Sequence, residues 1–356
     1  MNKNYAILLL IFLPFIAQAQ AVRKYSNEFL NIGVDAASLG MANAVVASTG
    51  DVNSGYWNPA GLVNLEDNEL ALMHASYFAN IALYDYAAFA KTIDDESTVA
   101  LSLIRFGVDD ILNTTQLIDA NGNIDYNRIS LFSTADYALT FSYARRLPVE
   151  GLNLGANAKI IRRVIGDFAS SWGFGIDFGL QYSAGDWDFG LMARDITTSV
   201  NTWSIDEEQF ATISDAVEGQ NQALPETMEI TLPKLQMGVS RSWLIRYDYT
   251  IKAEVDLLMR FAQTNDIISS SSVSASPAVG FEFGYTNLVF LRAGVGNFQT
   301  ITQLDGSERT GFQPNIGVGF QYRGIHIDYA LTDIGDQSAA IYSNIFSVKL
   351  DWELFR

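Results

Sequence analysis

His74 and His326 are the only imidazoles in 356 residues, and there is no cysteine. A serine nucleophile would need one of them within reach, with a polar partner behind it. No G-x-S-x-G elbow and no phosphate loop occurs in the sequence. A zinc site would need cysteines, or histidines at helical spacing, and the chain has neither. The run Asp119-Ala-Asn121-Gly-Asn123-Ile-Asp125 offers oxygen ligands at alternate positions, as calcium loops do. Its glycine stands fourth and not sixth, and Ser130 holds the twelfth place, where such loops carry Glu. Its Asn-Gly step suits a polar hairpin tip instead. These residues predict no catalytic site, no metal and no cofactor, and therefore no enzyme.

The stretch Phe29–Leu62, FLNIGVDAASLGMANAVVASTGDVNSGYWNPAGL, carries the most specific residues. It is too irregular for a strand and too rich in Gly and Ala for an ordinary amphipathic helix. Asp35 to Val46 can form one short helix of small residues, able to lie close against another backbone. Trp57, Asn58, Pro59, Ala60 and Gly61 then form a turn with an aromatic anchor. Pro59 has no amide proton and restricts the residue before it, and Gly61 permits a bend. This segment is expected to plug whatever wall the rest of the chain builds.

The first residues have the form of an export signal. Lys3 is followed by an apolar run, Tyr5 to Phe15, too short to span a bilayer, and by Ala17-Gln18-Ala19. Residues 1–19 are therefore expected to be removed, leaving a mature chain from near Gln20. The net charge is −18, which disfavours nucleic acid as a partner, because phosphate contacts need clustered Lys and Arg. Beyond residue 19 no run of about 18 apolar residues exists, so no transmembrane helix is predicted. An aromatic content of 12% and 27 glycines in such a chain suit an outer-membrane β-barrel or a large secreted sandwich.

Period-2 alternation and loop lengths decide between them. Trp172, Phe174, Ile176, Phe178, Leu180 and Tyr182 alternate with Gly173, Gly175, Asp177, Gly179 and Gln181. Similar runs include Tyr137 to Ala144, Val279 to Tyr285, Ile325 to Leu331 and Phe346 to Leu354. Aromatics gather at the ends of the apolar faces, at Trp172, Tyr182, Tyr137, Tyr143 and Trp352, as in the two girdles of a membrane barrel. About fourteen runs begin near Glu69, Leu83, Thr98, Tyr137, Leu152, Ser171, Trp187, Lys234, Tyr247, Ala278, Val289, Phe312, Ile325 and Ile345. Short connections such as Ser183–Asp186, Thr286–Asn287 and Arg323–Gly324 alternate with long polar ones. The long ones are Gly107–Asp136, Thr197–Pro233, Phe261–Pro277, Asn297–Gly311 and Thr332–Asn344. Short periplasmic turns and long outer loops are a barrel property. The expected fold is all-β: a transmembrane antiparallel β-barrel of about 14 strands with an N-terminal hatch segment containing a short helix. It forms one domain, 20–356, with the hatch at 20–66 and the wall at 67–356. The predicted location is the outer membrane.

The face opposite the apolar one carries Asp177, Arg194, Lys252, Glu254, Asp256, Glu282, Arg292, Asp328, Lys349 and Asp351. Glu254, Glu282 and Arg292 lie on adjacent predicted strands, and structural pairing that fills the lumen is expected. Both histidines are read as structural or lumen-facing. The Ser-rich run Ser269 to Ser276 is read as a flexible loop.

FLNIGVDAASLGMANAVVAS, YWNPAGL, Arg105-Phe106-Gly107-Val108-Asp109-Asp110 and Asp328-Tyr329-Ala330 resemble the PorV/PorQ family of Bacteroidetes outer-membrane proteins. These are barrels similar to the fatty-acid transporter FadL. The resemblance implies fourteen strands, a hatch, and a non-enzymatic role in type IX secretion. Implied partners are translocon or attachment-complex proteins, cargo with C-terminal signal domains, and outer-membrane lipid. Partner binding is expected on the outer loops, through exposed apolar residues such as Ile111, Leu112, Phe132, Trp203 and Phe210. The alternative is a FadL-like transporter of hydrophobic small molecules. One departure is that Phe355 is followed by Arg356, where many barrels end on an aromatic.

Overall fold

The computed structural model describes residues 26–78, 80–118, 122–208, 227–303, 305–332 and 343–351. The expectations for segment 1–19, Phe210, Asp119, Asn121, Trp352, Leu354, Phe355 and Arg356 lie outside the described residues.

Fourteen strands form among the described residues. They are β1 (Glu69–Tyr77), β2 (Ala82–Asp94), β3 (Ser97–Asn113), β4 (Ser130–Arg146), β5 (Leu152–Ile165) and β6 (Ala169–Ala184). β7 runs Trp187–Arg194 and resumes at Ser199–Ile205; β8 runs Met228–Thr231 and resumes at Lys234–Ile245. They continue as β9 (Tyr249–Arg260), β10 (Ser274–Tyr285), β11 (Val289–Thr302), β12 (Glu308–Tyr322), β13 (Ile325–Thr332) and β14 (Ser343–Asp351). Each pairs antiparallel with its neighbours, and β14 returns to β1 with Leu72 opposite Val348, so the sheet closes.

Side-chain alternation explains why the sheet closes in a membrane. On β6 the residues from Gly173 to Gln181 at every second position are buried, and the aromatic and aliphatic residues between them are exposed. Phe174 is 63% exposed and Trp172 53%. An apolar outer face repeated around a closed wall far exceeds the patches a soluble monomer exposes. A closed barrel also leaves no backbone edge for the hydrocarbon to desolvate. The wall is thus an outer-membrane-type barrel.

Turns on one rim are short. Thr286 and Asn287 have φ of 50° and 52°, and Arg323 and Gly324 have 48° and 75°. Left-handed pairs of this kind match the twist of two-residue hairpins. On the opposite rim the sequence-based boundaries need correction. β3 extends to Asn113 and β4 starts at Ser130, so Ile111 pairs with Phe132 and Leu112 with Leu131 on a projecting hairpin. Trp203 lies in the second half of β7, opposite Ser171. These four are strand residues, not loop residues. The alternation that marks a strand was interrupted by a bulge between Val108 and Ile111 and by a break at residues 195–198, where Asp195 and Thr198 have positive φ. The Ser-rich run is ordered: Ser274 Oγ donates to the Ala262 carbonyl at 2.6 Å, and β10 begins there.

The hatch fills the lumen. At its first described residue, Ser26, the hydroxyl meets Thr231 on the long-loop half of the wall at 2.7 Å. It ends near Val63, whose carbonyl accepts from Arg146 at the short-turn end of β4. The predicted helix is shorter than Asp35–Val46. α1 covers only Ala36–Gly40, capped by Asp35, and Ala42 and Asn43 at φ 55° and 66° end it. The rest of that stretch is a strap of consecutive turns bound to the wall. A second short helix, α2 (Ser54–Trp57), leads into a 3₁₀ turn at Pro59–Asn64.

Candidate functional site

The NPAG turn is built from capping chemistry. Asn58 accepts from the Ala60 amide at 3.2 Å, and Pro59 takes the first position of the turn, where no amide donor is needed. The Asn58 amide group donates to the carbonyls of Val46 and of Leu180 on β6, both at 3.0 Å, which ties strap, turn and wall together. Ala60 is buried beside it. Gly61 serves by size and not by bending: a side chain there would strike the Thr49 carbonyl. The wall makes matching room. A Cβ at Gly155 would strike Pro59 and Ala60, at Gly190 the Val46 carbonyl, and at Gly294 the Met41 backbone.

Trp57 is 3% exposed and donates from Nε1 to the Val34 carbonyl at 3.2 Å. Tyr56 packs edge-on against it at 4.8 Å between ring centres. The Arg194 guanidinium lies 4.7 Å over the Tyr56 ring and 6.0 Å from that of Trp57. Among the described residues Arg194 makes no ion pair, though it is only 9% exposed. Tyr56 receives a hydrogen bond from the Gly33 amide and donates to the Leu30 carbonyl, and burial raises its pKa against the pull of Arg194.

These rings form the floor of a vestibule of about 390 Å³ on the long-loop side of the hatch. Leu30, Ile32, Leu39, Tyr77 and Leu258 add apolar lining, with Gln236, Asn315 and Arg260 around them. A second chamber of about 260 Å³ lies on the short-turn side, lined by Asp35, Asp51, Lys252, Arg292, His326 and Lys349. The strap from Ser38 to Ser48 separates the two, with Leu39, Ala42 and Asn43 facing the vestibule and Ser38, Val45 and Ser48 the chamber.

The chamber is an ion-pair network. Arg292 donates to Glu282 at 2.6 Å and to Asp328 at 2.5 Å, and Lys252 stands 3.5 Å from Glu282. Lys349 reaches Asp51 at 2.6 Å. Burial opposes ionisation of Asp51, but that ammonium outweighs it and holds the carboxyl below its usual range. Asp35 faces no cation at contact distance. Burial, reinforced by the like charges of Asp328 and Asp51, pushes its pKa up to about 6.

Of the lumen residues predicted, Glu282 and Arg292 pair as expected. Glu254 does not join them. It is fully buried and accepts from the Ala47 amide of the strap at 2.6 Å. Arg194 was legible as a lumen charge, but its stacking on Tyr56 was not, because only the folded hatch brings them together. His326 lines the chamber, whereas His74 points outward, 2.7 Å from Asp85. The wall therefore separates the two imidazoles. Ile111, Leu112, Phe132 and Trp203 belong to the outer extension of the wall, away from the lumen site. No group of three or more His, Asp or Glu able to hold a metal occurs among the described residues.

No family model matches the chain, and a search of curated proteins gives no match. Solved structures do match. The Pseudomonas putida toluene transporter TodX superposes with a TM-score of 0.57 at 12% identity, over 90% of this chain and 98% of that one. The Ralstonia pickettii toluene transporter TbuX gives 0.53 at 12% identity, over 90% and 98%. A Pseudomonas aeruginosa FadL homologue gives 0.51 at 11% identity, over 90% and 98%. The fold is therefore that of a FadL-like barrel. The likeness carries the FadL-like half of the resemblance drawn from the sequence; it does not speak to PorV/PorQ, Bacteroidetes or type IX secretion.

Proposed function

We propose that this barrel binds small hydrophobic molecules in the vestibule and passes them through the outer membrane. The vestibule itself carries the reading. It is a lumen pocket floored by Tyr56 and Trp57 and lined in part by Leu30, Ile32, Leu39 and Leu258, in contrast to the ion-paired chamber on the other side of the strap. Its volume of about 390 Å³ falls in the range of small-molecule pockets. The toluene transporters among the structural neighbours support the substrate class. Arg194, on the aromatic floor, extends the class to hydrophobic molecules with an acidic group, since it has no carboxylate to satisfy it among the described residues. No catalytic constellation is needed for this role. Uptake of radiolabelled aromatic hydrocarbons and fatty acids in a deletion strain tests it. Uptake should fall without the protein and recover when it is returned; unchanged uptake for both classes ends the reading.

A second reading, partner docking in type IX secretion, has its own support in the hairpin beyond the wall. Leu112, Leu131 and Tyr126 there are 63%, 60% and 72% exposed. Affinity purification from the native membrane separates the readings. Capture of translocon, attachment-complex or cargo proteins, lost when the hairpin is shortened, supports docking. Its absence leaves transport alone.

A further inference from the structure

The strap that divides vestibule from chamber is held on the wall by two carboxyls that have no cation. The Val45 and Val46 amides donate to Asp256 Oδ2 at 3.1 and 3.2 Å, and the Ala47 amide donates to Glu254 Oε1 at 2.6 Å. Gln236 donates to the same Asp256 oxygen at 3.0 Å. Glu254 and Asp256 follow each other on the lumen face of β9, at 0% and 2% exposure. Neither forms an ion pair among the described residues, and Glu254 Oε2 and Asp256 Oδ1 are buried without a donor.

The charges around them are committed elsewhere. On β9 itself Lys252 goes to Glu282 of β10 at 3.5 Å. On β8, Lys234 goes to Asn31 and Glu28 of the hatch, and Ser240 is neutral. On β7, Arg194 stacks on Tyr56, and Asp188 accepts from Ser183. On β10, Gly280 and Ala278 stand opposite Glu254 and Asp256. On the hatch, Asp51 is paired with Lys349 and Asp35 faces Ser347. Three backbone amides can balance one buried negative charge. Two adjacent ones in this setting repel without compensation.

We infer that Glu254 and Asp256 share one proton, and that loss of this proton releases the Val45–Ala47 strap and joins vestibule to chamber. The inference rests on the transport reading for its purpose, as a gate on the same passage. In the closed state the shared hydrogen is held within the pair, where Glu254 Oε2 and Asp256 Oδ1 are the oxygens without a donor. When hydroxide takes it and becomes water, the pair goes from one negative charge to two. The carboxylates separate, and the three amides lose their acceptors. The proton makes the closed partition, so opening is favoured as pH rises.

Small-ion conductance in planar bilayers, from pH 7 to 9 on the full mature chain, reads this gate whether or not a hydrophobic solute ever crosses. Conductance should be low at pH 7 and rise toward pH 9. Glu254→Gln keeps the acceptor for Ala47 and supplies a permanent donor to Asp256, so the alkaline rise should disappear; Asp256→Asn should act likewise. Asp35→Asn should keep the rise. Heat-modifiable gel mobility confirms that each variant forms its barrel. Infrared spectra of the wild type at pH 7 should show a protonated-carboxyl stretch that Glu254→Gln removes. Hydrogen exchange at Val45–Ala47 should quicken with pH in the wild type only. The inference is overturned by a flat wild-type profile or by a rise that survives in both variants. Closure that follows sodium concentration at fixed pH also overturns it, because the pair would then hold a cation. Any of these leaves the transport reading to its own uptake assay.

Discussion

One barrel encloses two unlike spaces. The vestibule has an apolar floor of Tyr56, Trp57, Leu30, Ile32 and Leu39 under a largely polar wall, with Arg194 as its one aromatic-stacked cation among the described residues. The chamber beneath is lined by Asp35, Asp51, Lys252, Glu282, Arg292 and Lys349, nearly all paired. Both spaces lie inside the same wall, whose lumen face mixes polar residues with buried apolar ones such as Tyr84, Tyr86 and Ile104. The hatch makes the difference. Where it presents aromatic rings the lumen gains an apolar floor, and where it presents Asp35 and Asp51 the lumen becomes a charge network. Under the proposed function, affinity for an apolar molecule is a property of the plug.

Removing the plug is the strongest way to break that contrast. Deletion of residues 26–62 should merge the two spaces and convert a barrel of low conductance into an open pore, because a fourteen-stranded wall is too wide for its own side chains to fill. Bilayer conductance as low as that of the intact protein would show that the hatch does not close the lumen. Trp57→Ala attacks only the floor. It removes a fully packed aromatic, a change worth about 3–5 kcal/mol in a core. The hatch amides should exchange faster by mass spectrometry while the wall strands keep their protection.

Arg292→Met works on the other space. Glu282 and Asp328 lose their common partner, and breaking a buried pair costs about 3–5 kcal/mol, less here to the extent that chamber water screens them. Thermal unfolding in detergent should shift downward, and adding Glu282→Gln should recover part of the loss. The chamber should also show a pH dependence on the acid side of neutrality. Asp35 titrates at about 6 in the folded protein, against an ordinary value of 3.8. A raised carboxyl favours the fold most below its unfolded value and loses that benefit as pH rises through the folded one. Hatch stability should therefore fall between about pH 4 and 6, by at most about 3 kcal/mol. In Asp35→Asn this part of the melting-temperature profile should flatten; an unchanged profile would assign the dependence to other groups. The smallest effect is expected in the vestibule. Arg194→Met should weaken binding of a fluorescent fatty acid by about tenfold, the scale of one hydrogen bond to a charged group, and leave a neutral aromatic probe almost unaffected.

Most of the wall was legible from the residue types. Thirteen of the fourteen strand starts expected from alternation fall inside the observed strands. Tyr247, expected to open the ninth strand, stands in the turn before Tyr249 with φ of 62°. Boundaries failed where the wall leaves the lipid, as at Ile111, Leu112, Phe132 and Trp203. Lipid imposes apolar residues at every second position; above it, that constraint ends while backbone pairing continues.

The sequence by itself determined the barrel, its plug and the plug's rigid turn, because period-2 patterning, loop parity and the NPAG residues are local signals. Tertiary structure alone decided which lumen residues meet. Glu254 and Asp256 lie some 200 positions from the strap amides they hold, at separations of 207 to 211 residues. Arg194 reaches Tyr56 from 138 positions away, and His74 turned outward while His326 turned in. Such contacts depend on strand register and on where an irregular segment comes to rest in a closed lumen. A one-residue shift in register exchanges the two faces of a strand, and no short-range pattern encodes which wall residue the hatch will touch.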